Sequence, residues 1–357
     1  MAVARSRPLL VALRALGLGD LLTAVPALRA LAAAFPGHER VLAAPAGLAP
    51  LARLIDAGGR PAVDRVVDAR PLAPLARELH GAEVAVNLHG RGPQSHRVLL
   101  AARPRRAIWF ENPEVPASRG APRWYADEHE VSRWCRLLED HGIAADPRRL
   151  DLRPPRGVPP AAARGATVLH PGAASAARRW PAERFAAVAR AEWERGRTVV
   201  VTGHRGERPL AVAVAAAAGL PDAAVLAGRT DLLELTRVVA AAGRLVCGDT
   251  GIAHLATALG TPSVVLFGPT PPSLWGPPGA EPRHRALWTG RRSDPHADRP
   301  APGLLDIGPA EVIAALDALP AREDGYRSGV TTRTSAVSAE PVSATPSSST
   351  RKKKARA

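Results

Sequence analysis

The chain has few cysteines, few aromatic residues and almost no lysine. Its 357 residues include 2 cysteines and 1 methionine, and only 4% are aromatic. Cys135 and Cys247 stand far apart in stretches that read as regular structure. Two buried thiols in a reducing, cytoplasmic compartment therefore fit better than a disulfide. With so few aromatics there is little on which successive bases of a single strand could stack. No uninterrupted apolar run approaches the ~18 residues of a membrane span. The opening MAVARSRPLLVALRALGLGD has the arginines and apolar run of a signal peptide. Arg14 interrupts that run, however, and Gly17, Gly19 and Asp20 follow where a strand gives way to a helix, so it reads as the first strand of the fold.

Lysine occurs only in the final RKKKARA, so the formal charge of +15 rests on arginine scattered along the whole body. Together with abundant alanine and proline, this matches a bias toward GC-rich codons and makes nucleic acid a poor candidate partner. An anionic small molecule or an acidic membrane surface remains compatible. No G-x-x-x-x-G-K-[ST] and no D-x-D occurs anywhere. The first loop, Gly17-Leu18-Gly19-Asp20-Leu21-Leu22, has leucine where a dinucleotide fingerprint needs its third glycine. A P-loop is thus excluded and a nicotinamide cofactor disfavoured.

A hydrophobic content of 46% over this length supports two domains of ordinary size. Apolar runs and amphipathic stretches alternate as strand and helix. In the first series the strands are Pro8–Arg14, Arg40–Ala44, Val63–Val67, Glu83–Leu88 and Arg105–Phe110. Between them fall helices Leu21–Ala34, Leu48–Ala57, Leu72–His80 and Gln94–Ala101, and Trp124–His141 follows as a long helix. The Pro/Arg-rich Asp146–Pro160 breaks both patterns, which predicts domains of residues 1–155 and 156–320. In the second series the strands are Thr167–His170, Thr198–Thr202, Ala223–Leu226, Gly243–Val246 and Ser263–Phe267. The helices are Ala182–Arg195, Glu207–Ala218, Leu232–Ala242, Ile252–Leu259 and Pro309–Leu319, and Glu281–Pro302 reads as irregular. Such alternation implies parallel sheets covered on both faces: an α/β chain of two doubly wound domains facing a cleft. Residues 321–357, rich in Ser, Thr, Pro and charge, are expected to be a disordered tail, whose basic end could touch anionic lipid.

Chemistry gathers where strands end. Asp249 and Thr250 lie between a buried strand and a helix, where backbone N–H groups and the positive helix end favour an anion, and His254 follows one turn later on the same face. The same residues also suit a well-capped helix. Asp20 is either the cap of the helix beginning at Leu21 or a carboxylate aimed into the cleft. After His170, small residues allow close approach to a phosphate, and Arg178 and Arg179 offer charged forks or solvated loop arginines. Glu207, at another strand end, suits a helix cap or ribose hydroxyls.

Five motifs occur in order: Gly19-Asp20 with Pro26, Pro171 to Phe185, Gly203 with Glu207, Asp249 to His254, and Phe267 to Thr270. Through them, from about residue 8 to 320, the chain resembles the family 9 glycosyltransferases. The best-known members of that family are the ADP-heptose:lipopolysaccharide heptosyltransferases. Asn87-Leu88-His89-Gly90 is similar to a weaker D-x-Q-G element, with both polar positions altered. The resemblance implies a GT-B architecture of two Rossmann-like domains, with the acceptor on the first and the nucleotide sugar on the second. It implies inversion at the anomeric carbon without a metal or other cofactor. By position, Asp20 matches the catalytic base, while Gly19, Arg178, Glu207, Asp249, Thr250, Gly251 and His254 match the donor site. Arg178 stands where the family has lysine, and Asn87 and His89 are acceptor-side candidates. The expected partners are a nucleoside-diphosphate sugar, with adenine as its base, and an envelope glycan or glycolipid, met in the cytoplasm or at the inner membrane face. A nucleotide-sugar epimerase or a non-catalytic nucleotide-sugar-binding protein would use the same domain pair.

Overall fold

The computed structural model describes residues 7–279 and 281–321. The first half runs β1 (Leu9–Leu13), α1 (Leu18–Thr23), α2 (Val25–Ala34), β2 (Glu39–Ala44), α3 (Ala49–Ala52), β3 (Arg65–Asp68), β4 (Val84–Asn87), α4 (Gln94–Ala101), β5 (Arg106–Ile108) and α5 (Glu130–Glu139). The second half opens with β6 (Thr167–His170), α6 (Ala182–Glu194), β7 (Val199–Val201), α7 (Arg208–Ala218), α8 (Leu232–Ala241) and β8 (Arg244–Gly248). It continues with α9 (Gly251–Ala258), β9 (Ser263–Leu266), α10 (Pro272–Trp275), β10 (His284–Leu287), α11 (Pro302–Leu305) and α12 (Pro309–Asp317).

Each half builds one five-stranded parallel sheet, ordered β3-β2-β1-β4-β5 and β10-β9-β8-β6-β7. The central strands are apolar throughout because both their faces are covered: all five residues of β1 are buried, as are all four of β6. Strand order reverses between β1 and β4, where Leu13 is in register with Asn87, and between β6 and β8, where His170 is in register with Cys247. At such points the connections leave toward opposite faces and open a crevice beyond the strand ends. Both cysteines are free and buried, as expected.

A single buried apolar cluster joins the halves, holding Leu10 and Leu42 of the first sheet together with Val168 and Leu245 of the second. The connection between them is also tied down. Arg29 of α2 donates to the carbonyls of Arg149 and Asp151, at 2.6 and 2.7 Å, and to the Asp151 carboxylate at 2.8 Å. One residue further on, the N–H of Leu152 donates to the Ala258 carbonyl at the end of α9.

Several elements differ from the sequence reading, each for a local reason. The helix expected over Leu21–Ala34 begins at Leu18 and breaks at Ala24, because Pro26 has no N–H to bond back across the join. Leu48–Ala57 shortens to α3. Leu72–His80 yields only a single 3-10 turn, Arg77–Leu79: Pro71 and Pro74 remove donors, and Leu72 is left-handed at φ 59°. The long helix expected from Trp124 begins only at Glu130. His129 caps it, its Nδ1 accepting the Val131 N–H, while Trp124 turns back against Phe110 and Trp134. Ala223–Leu226 contributes one bridge, Val225 beside Val201, in place of a strand. The segment read as irregular contains β10, fixed by a hydrogen bond between His284 Nδ1 and Ser263 Oγ. Apart from Ala321, the tail expected to be disordered lies outside the described residues.

Candidate active site

The crevices of the two sheets face one another and merge into a cleft of about 750 Å³. From the first half, the β1–α1 turn brings Gly17, Gly19 and Asp20 to its wall. From the second come His170 after β6, Arg178, Glu207 before α7, and Asp249, Thr250, Gly251 and His254 around the start of α9. Gly19, Asp20, Arg178, Glu207, Asp249, Thr250, Gly251 and His254 are therefore brought together. Thr250 caps α9 without a side-chain hydrogen bond, so the first N–H groups of that helix keep no side-chain acceptor and its positive end opens on the cleft.

Asp20 is the third residue of α1 rather than its cap. Its Oδ2 accepts the Gly17 N–H at 3.2 Å, and its Oδ1 lies 3.3 Å from Nη2 of the buried Arg14. Burial raises the proton affinity of this carboxylate. Arg14 opposes that, Glu130 reinforces it, and the balance lies above the ordinary carboxylate value. His254 sits over Gly19 and meets the Trp275 ring edge-on at 6.1 Å. Burial, assisted by His129, pushes its imidazole down to about 4, so it is neutral at pH 7.

On the opposite wall, Arg178 Nη1 donates to the Asp249 carbonyl at 3.2 Å and lies 4.0 Å from its carboxylate. Burial pushes Asp249 up to about 6, against the pull of Arg178. The Nε of Arg178 is buried without a protein acceptor, a donor left over for a ligand oxygen. Glu207 accepts the His204 N–H at 2.9 Å and lies 4.0 Å from His170 Nε2. It rests over Gly172, where a Cβ would come within 2.0 Å of its Oε1. The small residue after His170 thus makes room for an acid. Burial holds His170 near 4, so it too is neutral.

Asn87 and His89 do not line the cleft. Asn87 is fully buried at the end of β4, where its amide donates to Ser95 Oγ and the Gly90 carbonyl and its Oδ1 accepts the His89 N–H. His89 is pushed down to about 4 by burial and by Arg14. The sequence reading did not find Trp275, Asp231 and His296 on the cleft wall, nor the Arg14–Glu130 pair behind Asp20. An arginine inside the first apolar strand-end was the available signal for Arg14. Among the described residues no three His, Cys, Asp or Glu side chains converge to hold a metal ion, and no helix is long and apolar enough to cross a membrane.

The profile of glycosyltransferase family 9 (heptosyltransferase) matches residues 119–302, just over half of the chain. The chain belongs to glycosyltransferase family 9. It is similar to lipopolysaccharide heptosyltransferase 2 of Escherichia coli K12, with 33% identity over 155 residues, 42% of this chain and 44% of that protein. The matched part thus spans less than half the length of that curated relative. In fold this family 9 chain resembles the solved E. coli ADP-heptose lps heptosyltransferase II, with a TM-score of 0.67 and 22% identity over 87% of this chain and 98% of the other. It also resembles E. coli heptosyltransferase WaaC solved with ADP, with a TM-score of 0.62 and 18% identity over 86% and 98%. A looser likeness is to the iron-containing dodecameric glycosyltransferase TibC of enterotoxigenic E. coli, at 0.55 and 13% over 88% and 76%. The architecture is GT-B.

Proposed function

We propose that this enzyme transfers heptose or a similar sugar, with inversion and without a metal, from a nucleoside-diphosphate sugar to a cell-envelope glycan or glycolipid. ADP is the favoured nucleotide, because the WaaC structure is described as holding it. Residues 1–155 would carry the acceptor and 156–320 the donor. The observation behind this reading is the convergence on one cleft of eight residues from motifs scattered between positions 19 and 254.

In this reaction Asp20 removes the proton of the acceptor hydroxyl as that oxygen attacks the anomeric carbon from the face opposite the leaving diphosphate. A carboxylate is a weak base toward an alcohol, so the proton moves late, when bond formation has made the hydroxyl acidic. Desolvation by the cleft walls strengthens Asp20 as a base. The charge growing on the diphosphate is met by Arg178 and by the N-terminus of α9, fixed donors that need no reorganisation during the reaction. Glu207 faces the donor's ribose. Asn87 and His89, which do not line the cleft, would act on the acceptor side by shaping the β4–α4 turn. The protein would work at the cytoplasmic face of the membrane, with the basic C-terminus as a contact for anionic lipid.

The test is two-part. A panel of nucleoside diphosphates and their sugars should raise the melting temperature selectively for ADP compounds; a ligand at 100 times its Kd stabilises by about 2.7 kcal/mol. Asp20→Asn should keep that response and lose about 10²–10⁴-fold in turnover. Preference for UDP or GDP compounds would discard the ADP-heptose donor, and full turnover by Asp20→Asn would discard the base.

A further inference from the structure

The guanidinium of Arg14, 1% exposed, lies between two carboxylates that come from distant parts of the chain. Its Nη2 donates to Glu130 Oε1 at 2.8 Å, to Thr23 Oγ1 at 3.1 Å and to Asp20 Oδ1 at 3.3 Å. Nε donates to the Asp20 backbone carbonyl at 2.9 Å, and Nη1 donates to the Leu88 carbonyl. The Trp134 ring lies 4.8 Å from the guanidinium carbon and donates its own N–H to Glu130 Oε1 at 2.9 Å. Glu130 also accepts from Arg133 Nη1. Arg14 is thus locked by its other bonds, and of its two carboxylates the closer is Glu130, not the one that faces the cleft.

We propose that Glu130 is a positioning residue for Asp20: it holds the shared Arg14 guanidinium, so that Arg14 orients the Asp20 carboxylate without neutralising it as a base. This rests on the reading of Asp20 as the base. A single guanidinium beside a carboxylate lowers its proton affinity by 1–3 pH units, enough to make it a poor base. A second carboxylate on the same nitrogen offsets much of that. The charged and titratable groups facing Asp20 are Arg14 from the end of β1, Glu130 backed by Arg133 from α5, and His254 from α9 with His129 beside it. His89 lies near Arg14, and Asp249 and Arg178 stand on the far wall. The two carboxyls are driven apart accordingly. Asp20 lies above its ordinary value through burial, while at Glu130 burial is outweighed by Arg14, Arg133 and Trp134 and the group falls below its own.

The experiment is a ¹³C-carboxyl NMR titration of protein labelled at Asp and Glu, alongside pH profiles of kcat/KM. Asp20→Asn and Glu130→Gln assign the two signals. In the wild type, Asp20 should titrate at higher pH than Glu130. In Glu130→Gln the Asp20 titration and the acid limb of kcat/KM should both move down by about one pH unit. The plateau should fall about threefold as the base weakens, with the donor KM unmoved. Glu130→Asp, which keeps the charge, should keep the acid limb. An unmoved Asp20 titration in Glu130→Gln, or a Glu130→Asp that behaves like Glu130→Gln, overturns the proposal. Should Glu130→Gln fail to fold, wild-type titrations with Asp20 at or below Glu130 overturn it as well. Failure of the base reading is seen separately, as full turnover by Asp20→Asn. In that case a moved Asp20 titration in Glu130→Gln still supports the electrostatic link, and an unmoved one overturns it.

Discussion

Gly19 and Gly251 meet backbone to backbone on the wall of the cleft, where the two halves come together. A methyl group on Gly251 would lie 2.9 Å from the Gly19 nitrogen, and one on Gly19 would lie 3.3 Å from the Gly251 Cα and 2.9 Å from the His254 ring. With Leu18 and His254 already filling the space beside it, this approach of α1 to α9 needs residues 19 and 251 to be without side chains.

Gly251→Ala should therefore cost stability, although alanine is the better helix former. The propensity gain is at most about 1 kcal/mol, whereas overpacking against an unyielding backbone costs about 1–3 kcal/mol. The expected result is a lower melting temperature, with turnover reduced at least tenfold as Asp20 and the α9 N-terminus move apart. Thermal unfolding and kcat measured together check it; an unchanged melting temperature would show that the contact gives way freely.

Asp249 sets a pH dependence. Its folded value, about 6, lies above the ordinary 3.8, so the native state holds its proton more tightly than the unfolded chain does. The stabilisation this confers is complete below about pH 4 and is lost as pH rises through 6. Asp249→Asn should then melt with the wild type at pH 4 and be more stable by about 3 kcal/mol at pH 8. Melting curves across that range decide it, and a gap that does not widen with pH would overturn the assignment.

Arg178 should matter for binding as much as for rate. Arg178→Ala removes a charged donor from the cleft, and ADP affinity should drop about 10–100-fold by calorimetry. Arg178→Lys should recover most of that affinity but less of the rate, since an ammonium keeps the charge and loses the fork. Undiminished affinity in Arg178→Ala would remove the phosphate contact.

Under the proposed metal-free mechanism, in which Arg178 and the α9 N-terminus meet the charge on the diphosphate, turnover should be indifferent to EDTA and to added Mg²⁺. Activity that a chelator abolishes and a divalent ion restores would overturn the metal-free mechanism.

Residues set by short-range chemistry were legible in the sequence. Asp249, Thr250 and His254 announce themselves because a buried strand, a turn and a helix follow within a dozen positions, and the periodicity fixes which end faces outward. Glu207 was legible in the same way, beyond the end of a strand, whereas Arg178 offered only a loop arginine ahead of a helix. The partnership of Arg14 with Glu130 was not, because it joins positions 116 apart and exists only once α5 packs against α2. Asn87 was a candidate only through the likeness of Asn87-Leu88-His89-Gly90 to the family's D-x-Q-G element. Ser95 and the Gly90 carbonyl instead satisfy it internally, through a turn whose path no local pattern specified. Likewise Leu72–His80 carried an apolar spacing fit for a helix, and its prolines overrode it.

The buried apolar cluster that the two halves share bears on how such a chain could be recombined. Because Leu10 and Val168 belong to one buried cluster, and Arg29 grips the connection at Asp151, the sheets are not interchangeable modules on a flexible string. A chimaera that grafted the second sheet of a relative onto this first one would inherit mismatched packing along the whole seam. Donor preference is therefore better retuned by replacing side chains along the cleft wall than by exchanging halves.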